Sequence, residues 1–326
     1  MNKHAKLLLA GLSCLVLAVL SLCLGAVPLT PGQLWDALMQ GPTHTAGYIL
    51  WYVRLPRTLA CLLSGGALAA AGTILQRMLG SSLASPGIIG VNAGAGLGVT
   101  VCCALGLLSG WAFSLFAFAG AVLTVSAVAA LAWRGSQSRR VVILAGVAAG
   151  SILTALREGL TILFPDSAML SGDFRVGGLS SVVSARLLPA GVLILIAMAL
   201  AISLCRQLDI LALGEDTARS LGMPVRGVRT VFLLLSAVLA GAAVSFAGLL
   251  GFVGLLVPHM ARRLVGSESR FALPMSISLG AGLVTVCDLV GRLVFAPHEL
   301  PVGILMAVLG GPFFLTLLLR KGEHHA

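Results

Sequence analysis

The sequence predicts an all-α, polytopic membrane protein, and three observations carry that expectation. Of 326 residues, 58% are hydrophobic and only 10% are charged, against about 25% charged in a soluble domain. Apolar stretches long enough to cross ~30 Å of hydrocarbon recur from one end of the chain to the other. Glycine, at 40 residues, exceeds its usual ~7% share. Pairs such as Gly94 and Gly98, or Gly146 and Gly150, have the spacing that lets helices approach closely in lipid.

Hydropathy places ten transmembrane helices, at 7–27, 57–78, 87–108, 112–132, 141–164, 187–206, 229–248, 250–266, 273–293 and 301–320. The first begins like a signal peptide, with Lys3 and Lys6 ahead of an apolar run from Leu7 to Leu24. That run outlasts the roughly 7–15 residues of a signal core. "LSLC" (Leu20 to Cys23) is also a poor lipobox, so the segment reads as a retained span. An even number of spans puts both termini on one side. With the N-terminus in the cytoplasm, 15 of the 21 Lys and Arg residues fall inside, as the positive-inside rule requires. Arg54, Arg57, Arg157, Arg175, Arg186 and Arg292 are the exceptions, on the outer side or within a span. Polar length is confined to outer loops 28–56 and 165–186 and an inner loop 207–228, so residues 1–326 read as a single transmembrane domain.

An internal repeat links the two halves. "RLPRTLACLLS" from Arg54 and "RGVRTVFLLLS" from Arg226 share Arg, Arg, Thr, Leu, Leu and Ser in register, and the same offset lays Pro86 on Pro258. Five spans separate the copies, an odd number. Spans 2–5 and 7–10 therefore form an inverted repeat, a common transporter architecture.

Other classes fit poorly. The net charge of +10 comes from basic residues scattered between apolar spans, which are topology signals and not a nucleic-acid footprint. The seven cysteines lie in or at the ends of spans, without metal-site spacing to histidines, and read as small core hydrophobes. An intramembrane enzyme would need a motif such as H-E-x-x-H, or a serine or cysteine beside a base, and the sequence offers neither.

One polar stretch stands apart, "GEDTARSLG" at 214–222. Glu215 and Asp216 suit a helix N-terminus and Arg219 its other end. Gly222 can supply the left-handed residue after the helix, Pro224 prevents continuation, and Ala218 with Leu221 gives a small apolar face. One or two turns are unstable alone. The helix must lie on the protein's own surface or on a cytosolic partner.

The segment "LDILALGEDTARSLGMPV" (Leu208 to Val225) resembles the cytoplasmic loop of the FecCD family, the permease subunits of type II ABC importers for iron–siderophores, haem and cobalamin. "RLPRTLA" (54–60), "SLASPGIIGVNAGAGLG" (82–98), "GLLGFVGLLVPHMARRLVG" (248–266) and "ELPVGILMAVLGGPFFL" (299–315) match in the same order, so the resemblance covers almost the whole chain. It implies ten helices with both termini inside. It also implies a second permease subunit, identical or paralogous, two cytosolic ATPases below and a periplasmic binding protein above. The family's cargo is most often an iron–siderophore, ahead of haem and cobalamin, carried across the bacterial inner membrane by alternating access. No catalysis and no cofactor is implied for this chain: ATP and Mg belong to the ATPase, and no G-x-x-x-x-G-K-[ST] occurs here.

Residue roles follow from the same resemblance. Leu213, Gly214, Glu215, Asp216, Ala218, Arg219, Leu221 and Gly222 match the coupling helices that sit in a cleft on the ATPase. Arg54, Arg57 and Arg292 match arginines that receive acidic residues of the binding protein, although snorkelling at a span end also suits them, and Asp288 stands four residues before Arg292. Ser82, Leu83, Ala84, Ser85 and Pro86 fall at the inner mouth, where "GSSLASP" (80–86) replaces the family's usual Arg-Asn-Pro-Leu-Ala-Asp-Pro. The outer loop "FRVGGLSS" (174–181) departs from the family as well. Arg157 and Glu158 lie well inside the fifth span, where a charge costs at least ~2.5–3.5 kcal/mol on insertion scales, and so must face water, protein or cargo. They read as an internal ion pair or as lining of the pathway, and the family's fifth helix favours lining. His259 reads as a structural histidine and not a metal ligand. An ion-coupled secondary transporter remains the alternative, with only Arg157, Glu158 and Asp288 as candidates for a coupling-ion site.

Overall fold

The computed structural model describes residues 2–25, 30–134, 139–180, 182, 184–294 and 298–322. Those residues are overwhelmingly helical, with no strand among them. In chain order the helices are α1 (Lys3–Cys23), α2 (Pro31–Gln40), α3 (Thr45–Tyr48), α4 (Leu55–Leu79), α5 (Val91–Ala104), α6 (Gly110–Arg134), α7 (Arg139–Leu163), α8 (Pro165–Leu170) and α9 (Gly172–Val176). They continue as α10 (Ser184–Ser203), α11 (Cys205–Ala212), α12 (Glu215–Ser220), α13 (Val225–Ala247), α14 (Val253–Val265), α15 (Ser269–Leu293) and α16 (Val302–Gly322). A π-helical turn over Ile49–Arg54 joins α3 to α4.

Among the described residues six helices are long and apolar enough to cross a membrane: α1, α4 with its α3 extension, α6, α7, α13 and α15. A bent pair, α10 and α11, meets at 58° and makes a seventh if it is one span. α5 and the first part of α16 are shorter apolar helices. This is a multi-pass membrane protein. Each of the ten sequence spans overlaps a helix, though α5, α14 and the described apolar part of α16 fall short of the length of a crossing, and the polar loops are less irregular than expected. Loop 28–56 holds α2, whose N-terminus is closed by a reciprocal capping box between Thr30 and Gln33, and the helical run into α4 begins as early as Thr45.

Contacts at the helix ends define two faces. Arg77, at the end of α4, bonds Asp209 of α11 and Ser269 at the start of α15. Lys3 and Lys6 reach Glu268 and the Leu264 carbonyl on that same face. At the opposite face the start of α4 meets the end of α15 through Arg57 and Asp288. α4 and α15 are therefore antiparallel. α13 starts beside α12 on the Arg77 face and so runs antiparallel to α4 as well.

The centre of the bundle is α4, packed on α13, α14 and α15, and almost all of its residues are buried. Hydrocarbon supplies little hydrophobic drive for helix association, so stability there depends on close packing. "SGGALAAAG" (Ser64 to Gly72) provides it. A Cβ on Gly65 would strike the Gly280 carbonyl of α15, and one on Gly72 the Gly254 carbonyl of α14. Gly94 of α5 and Gly120 of α6 meet in the same way. The outward sides of α1, α7 and α10 carry exposed Leu, Ile and Val, as a lipid-facing surface should.

The proline match in the repeat does not survive. Pro86 lies in the connection five residues before α5, whereas Pro258 lies inside α14. The 80–90 connection is longer than the 248–252 connection, so the register shifts between them. The shorter one ends at Phe252, the only non-glycine residue with positive φ (62°) among those described, and its side chain presses on Gly310 of α16.

Because Gly72 faces backbone, Gly72→Leu should destabilise the folded permease by about 1–3 kcal/mol or more, the usual cost of overpacking. Gly11→Leu, where nothing lies within 4 Å, should be neutral. Thermal unfolding of detergent-purified protein, followed by size-exclusion chromatography, separates the two.

Candidate functional site

The polar residues gather at the two faces and along one side of α7. On the Arg77 face, α12 is held from below. Glu215 bonds the buried Arg229 of α13 and lies 3.6 Å from Arg219. Ala218 is fully buried. The helix closes with Met223 N–H donating to the Ala218 carbonyl (3.0 Å) and Gly222 N–H to the Arg219 carbonyl (2.9 Å). That is the double bond pattern of a Schellman cap, with Gly222 at φ +77° as the sequence suggested. Gly214, ahead of α12, has φ +116°, a value open to glycine and closed to proline.

The apolar face expected from Ala218 and Leu221 is not formed. The helix ends at Ser220, so Leu221 turns outward while Ala218 turns in. The exposed apolar groups are Leu213 (65%) and Leu221 (63%), set either side of exposed Asp216 and Arg219. The surface presents apolar knobs among charges on a short braced helix. Its support was not evident in the sequence. Asp209 of α11 accepts from Arg77 and from both the N–H (3.0 Å) and Oγ (2.6 Å) of Ser269, tying the bent α10–α11 pair to α4 and α15.

At the opposite face the structure corrects a simple expectation. Arg54, Arg57 and Arg292 are 4, 8 and 7% exposed, so they are internal groups and not free charges snorkelling outward. Arg54 Nη1 donates to the Leu22 (2.6 Å) and Cys23 (2.7 Å) carbonyls at the end of α1. Arg57 donates from Nε to Asp288 (2.9 Å) and from Nη1 to Glu299 (2.8 Å). Arg292 lies 3.0 Å from Asp288, the pair expected one turn apart, and donates to Ser21 Oγ (2.9 Å), which in turn bonds Thr58 Oγ1. Arg57 and Arg292 share the carboxylates of Asp288 and Glu299, so with Arg54 on backbone carbonyls the cluster of three arginines and two acids carries one positive charge in excess.

The expected gate and pathway residues line separate cavities. Ala84 and Pro86 are buried, Pro86 against Gly254, while Ser82, Leu83 and Ser85 are half-buried. Ser82 lines a cavity of about 270 Å³ with Gln76, Arg77, Gly80, Ala212 and Arg262, and Arg262 donates to Gln76 Oε1 (2.5 Å). Just beyond Pro86, Gly87 and Asn92 share a cavity of about 600 Å³ with Ser151, Thr154, Arg157 and Glu158 of α7. Arg157 and Glu158 are 3.7 Å apart. The arginine lies largely covered over Gly96 of α5, and the glutamate is largely exposed. They pair and they line a cavity, so the two readings do not exclude each other. His259 stacks edge-on against Phe313, and among the described residues no cluster of three or more His, Cys, Asp or Glu could hold a metal.

A bundle of this kind, apolar outside and polar at both faces and along one cavity, is that of a membrane transport protein. The chain belongs to the FecCD transport family, whose model matches residues 13–320. It is 38% identical to the iron(3+)-hydroxamate import system permease protein FhuB of Bacillus subtilis over 96% of this chain and 83% of that one. It is 36% identical to the hemin transport system permease protein HmuU of Yersinia pestis, covering 95% and 94%. Among solved structures, a metal-chelate type ABC transporter in an inward-facing conformation superposes with a TM-score of 0.88 at 28% identity, over 97% of this chain and 99% of that one.

Breaking a buried ion pair from one side costs about 3–5 kcal/mol, while an exposed pair contributes about 1 kcal/mol or less. Asp288→Asn should thus lower stability sharply, leaving Arg292 without a carboxylate, and Glu158→Gln should have little effect. Comparing unfolding midpoints of the two variants in one detergent tests that ranking.

Proposed function

We propose that this chain is the transmembrane permease subunit of an ATP-driven importer, moving a metal chelate from periplasm to cytoplasm by alternating access. The observation that carries the reading is the family match over 13–320, to which the inward-facing metal-chelate transporter adds a common architecture. The chain would form one transmembrane domain of ten crossings in the bacterial inner membrane. Its two inverted halves are supported by the antiparallel α4 and α13, each opening on a buried arginine. The Arg77 face would be cytoplasmic, with both termini on it, because the charge bias of the sequence favours that orientation.

Partners divide between the faces. Two ATPases would dock beneath the paired permeases, each taking one α12 surface and reading Leu213, Asp216, Arg219 and Leu221, while Gly214, Glu215, Ala218 and Gly222 hold the helix in place. A periplasmic binding protein would settle over the Arg54, Arg57 and Arg292 cluster, attracted by its excess charge. A second permease, identical or paralogous, would complete the pathway against α7, with Arg157 and Glu158 lining it and residues 82–86 gating its inner end. Catalysis and ATP with Mg belong to the ATPase. The cargo is taken as an iron–siderophore, which the FhuB relative's name favours, with haem the neighbouring case by HmuU.

Two measurements test this. In vesicles containing permease and ATPase, a ferric hydroxamate presented with its binding protein should be taken up only with ATP. Uptake that persists without the ATPase would return the protein to ion-coupled transport. Leu213→Ser combined with Leu221→Ser should leave insertion intact and lower ATPase co-purification several-fold, on the scale of two lost apolar anchors. Gly214→Pro should do the same by misplacing α12.

A further inference from the structure

On the Arg57 face one carboxylate is not needed by the helix packing. Asp288 has a fully buried side chain and pairs with both Arg57 and Arg292, joining α4 to α15. Glu299 is different. It comes from the segment ahead of α16, its side chain is 45% exposed, and it covers Nη1 of Arg57 at 2.8 Å. It also lines a cavity of about 350 Å³ with Asp173, Phe174, Gly178, Ser180 and Pro301. Open volume therefore lies next to the carboxylate that covers Nη1.

We propose that Glu299 is a resident stand-in for an acidic side chain of the docked binding protein, and that docking exchanges one carboxylate for the other on Arg57. The proposal rests on the docking reading above and goes beyond it by naming the internal competitor. A guanidinium offers two prongs. The prong on Asp288 is desolvated and joins two helices, so exchange there would leave a buried charge unpaired. The prong on Glu299 is half in solvent, where ion pairs are weak and replaceable. An incoming carboxylate restores the charge balance that Glu299 gives up, so the swap leaves Arg57 paired throughout.

Exchange has a route inward. Leu300, next in the chain, donates its N–H to the Gly291 carbonyl (3.2 Å), and Gly303 donates to the Gly177 carbonyl (3.0 Å). Gly177 itself abuts the Leu249 carbonyl so closely that a Cβ there would sit 2.5 Å from the oxygen, and Leu249 N–H donates to Phe174 (2.9 Å). Freeing Glu299 slackens the start of α16, and with it the brace between the 172–178 segment and the connection that leads into α14. Docking on the outside thus reaches backbone inside the bundle without any new covalent or metal chemistry.

The test uses the assembled transporter, permease with ATPase in lipid nanodiscs, and the binding protein as ligand, with affinity and rates measured by surface plasmon resonance across a salt series. Glu299→Gln removes the competitor's charge and should tighten binding about three- to fivefold, the scale of a half-exposed ion pair. A merely structural role for Glu299 would weaken binding or leave it unchanged. Glu299→Asp, which keeps the charge on a shorter arm, should tighten it to a smaller degree and serves if the glutamine variant assembles poorly. If wild-type association slows with salt while both variants bind no tighter than wild type, the exchange is wrong and the docking site stands. If wild-type association ignores salt, the docking reading itself fails and the exchange with it.

Discussion

Backbone meeting backbone around α4 is the constraint on which the rest of the molecule depends. Inside a bilayer the surroundings are as apolar as a leucine, so burying a leucine gains little and contact distance decides association. Gly65 against Gly280 and Gly72 against Gly254 put α4 in direct contact with α15 and α14. Many weak dispersion contacts accumulate there, and no side chain can swing to release them. The middle of the protein is thereby rigid. Relative motion is left to the helices that pack less tightly, and α7 is one of these: most of its length is exposed and it borders a cavity of about 600 Å³.

Directional bonds then do their work at the ends. Arg57 and Arg229 are matched positions of the repeat, and each is buried at the first turns of a central helix. Each also holds a glutamate from a peripheral segment, Glu299 ahead of α16 and Glu215 at the start of α12. A buried guanidinium must be paired, because an uncompensated charge there is far costlier than an exposed one. The peripheral segments are therefore tethered to the rigid middle by the very groups that could not be left alone. A partner that touches either segment pulls on α4 or α13, and those two helices pack against each other.

Hydropathy and charge bias made much of this legible. The spans found helices, six of them long and apolar enough to cross a membrane among the described residues, or seven with the bent pair, because a crossing helix must satisfy its backbone internally and hide it behind apolar side chains. The short helix at 215–220 and its glycine stop were legible too, since capping is local chemistry. What escaped was long-range pairing. Nothing local marks Asp209 as the acceptor for Arg77, or Glu299 as the cover for Arg57, because the partners are 132 and 242 residues apart. The same ignorance put Leu221 on one face with Ala218, when the chain turns just ahead of it. It also made the arginines of the outer face look solvent-bound. The repeat held the best hint, for Arg57 and Arg229 occupy one position in two copies, and a basic residue kept in both halves on opposite faces is hard to explain by topology alone.

The left-handed Phe252 has a consequence for how the sequence can drift. Holding a bulky residue at φ 62° costs on the order of 1 kcal/mol or more, and the space its side chain occupies exists only because position 310 is glycine. An alanine at 310 would collide with that side chain, while a smaller residue at 252 would leave a void beside Gly310. Neither single step is open without loss, yet the two together can be neutral. Residues 252 and 310 are thus a compensating pair, each size fitted to the other.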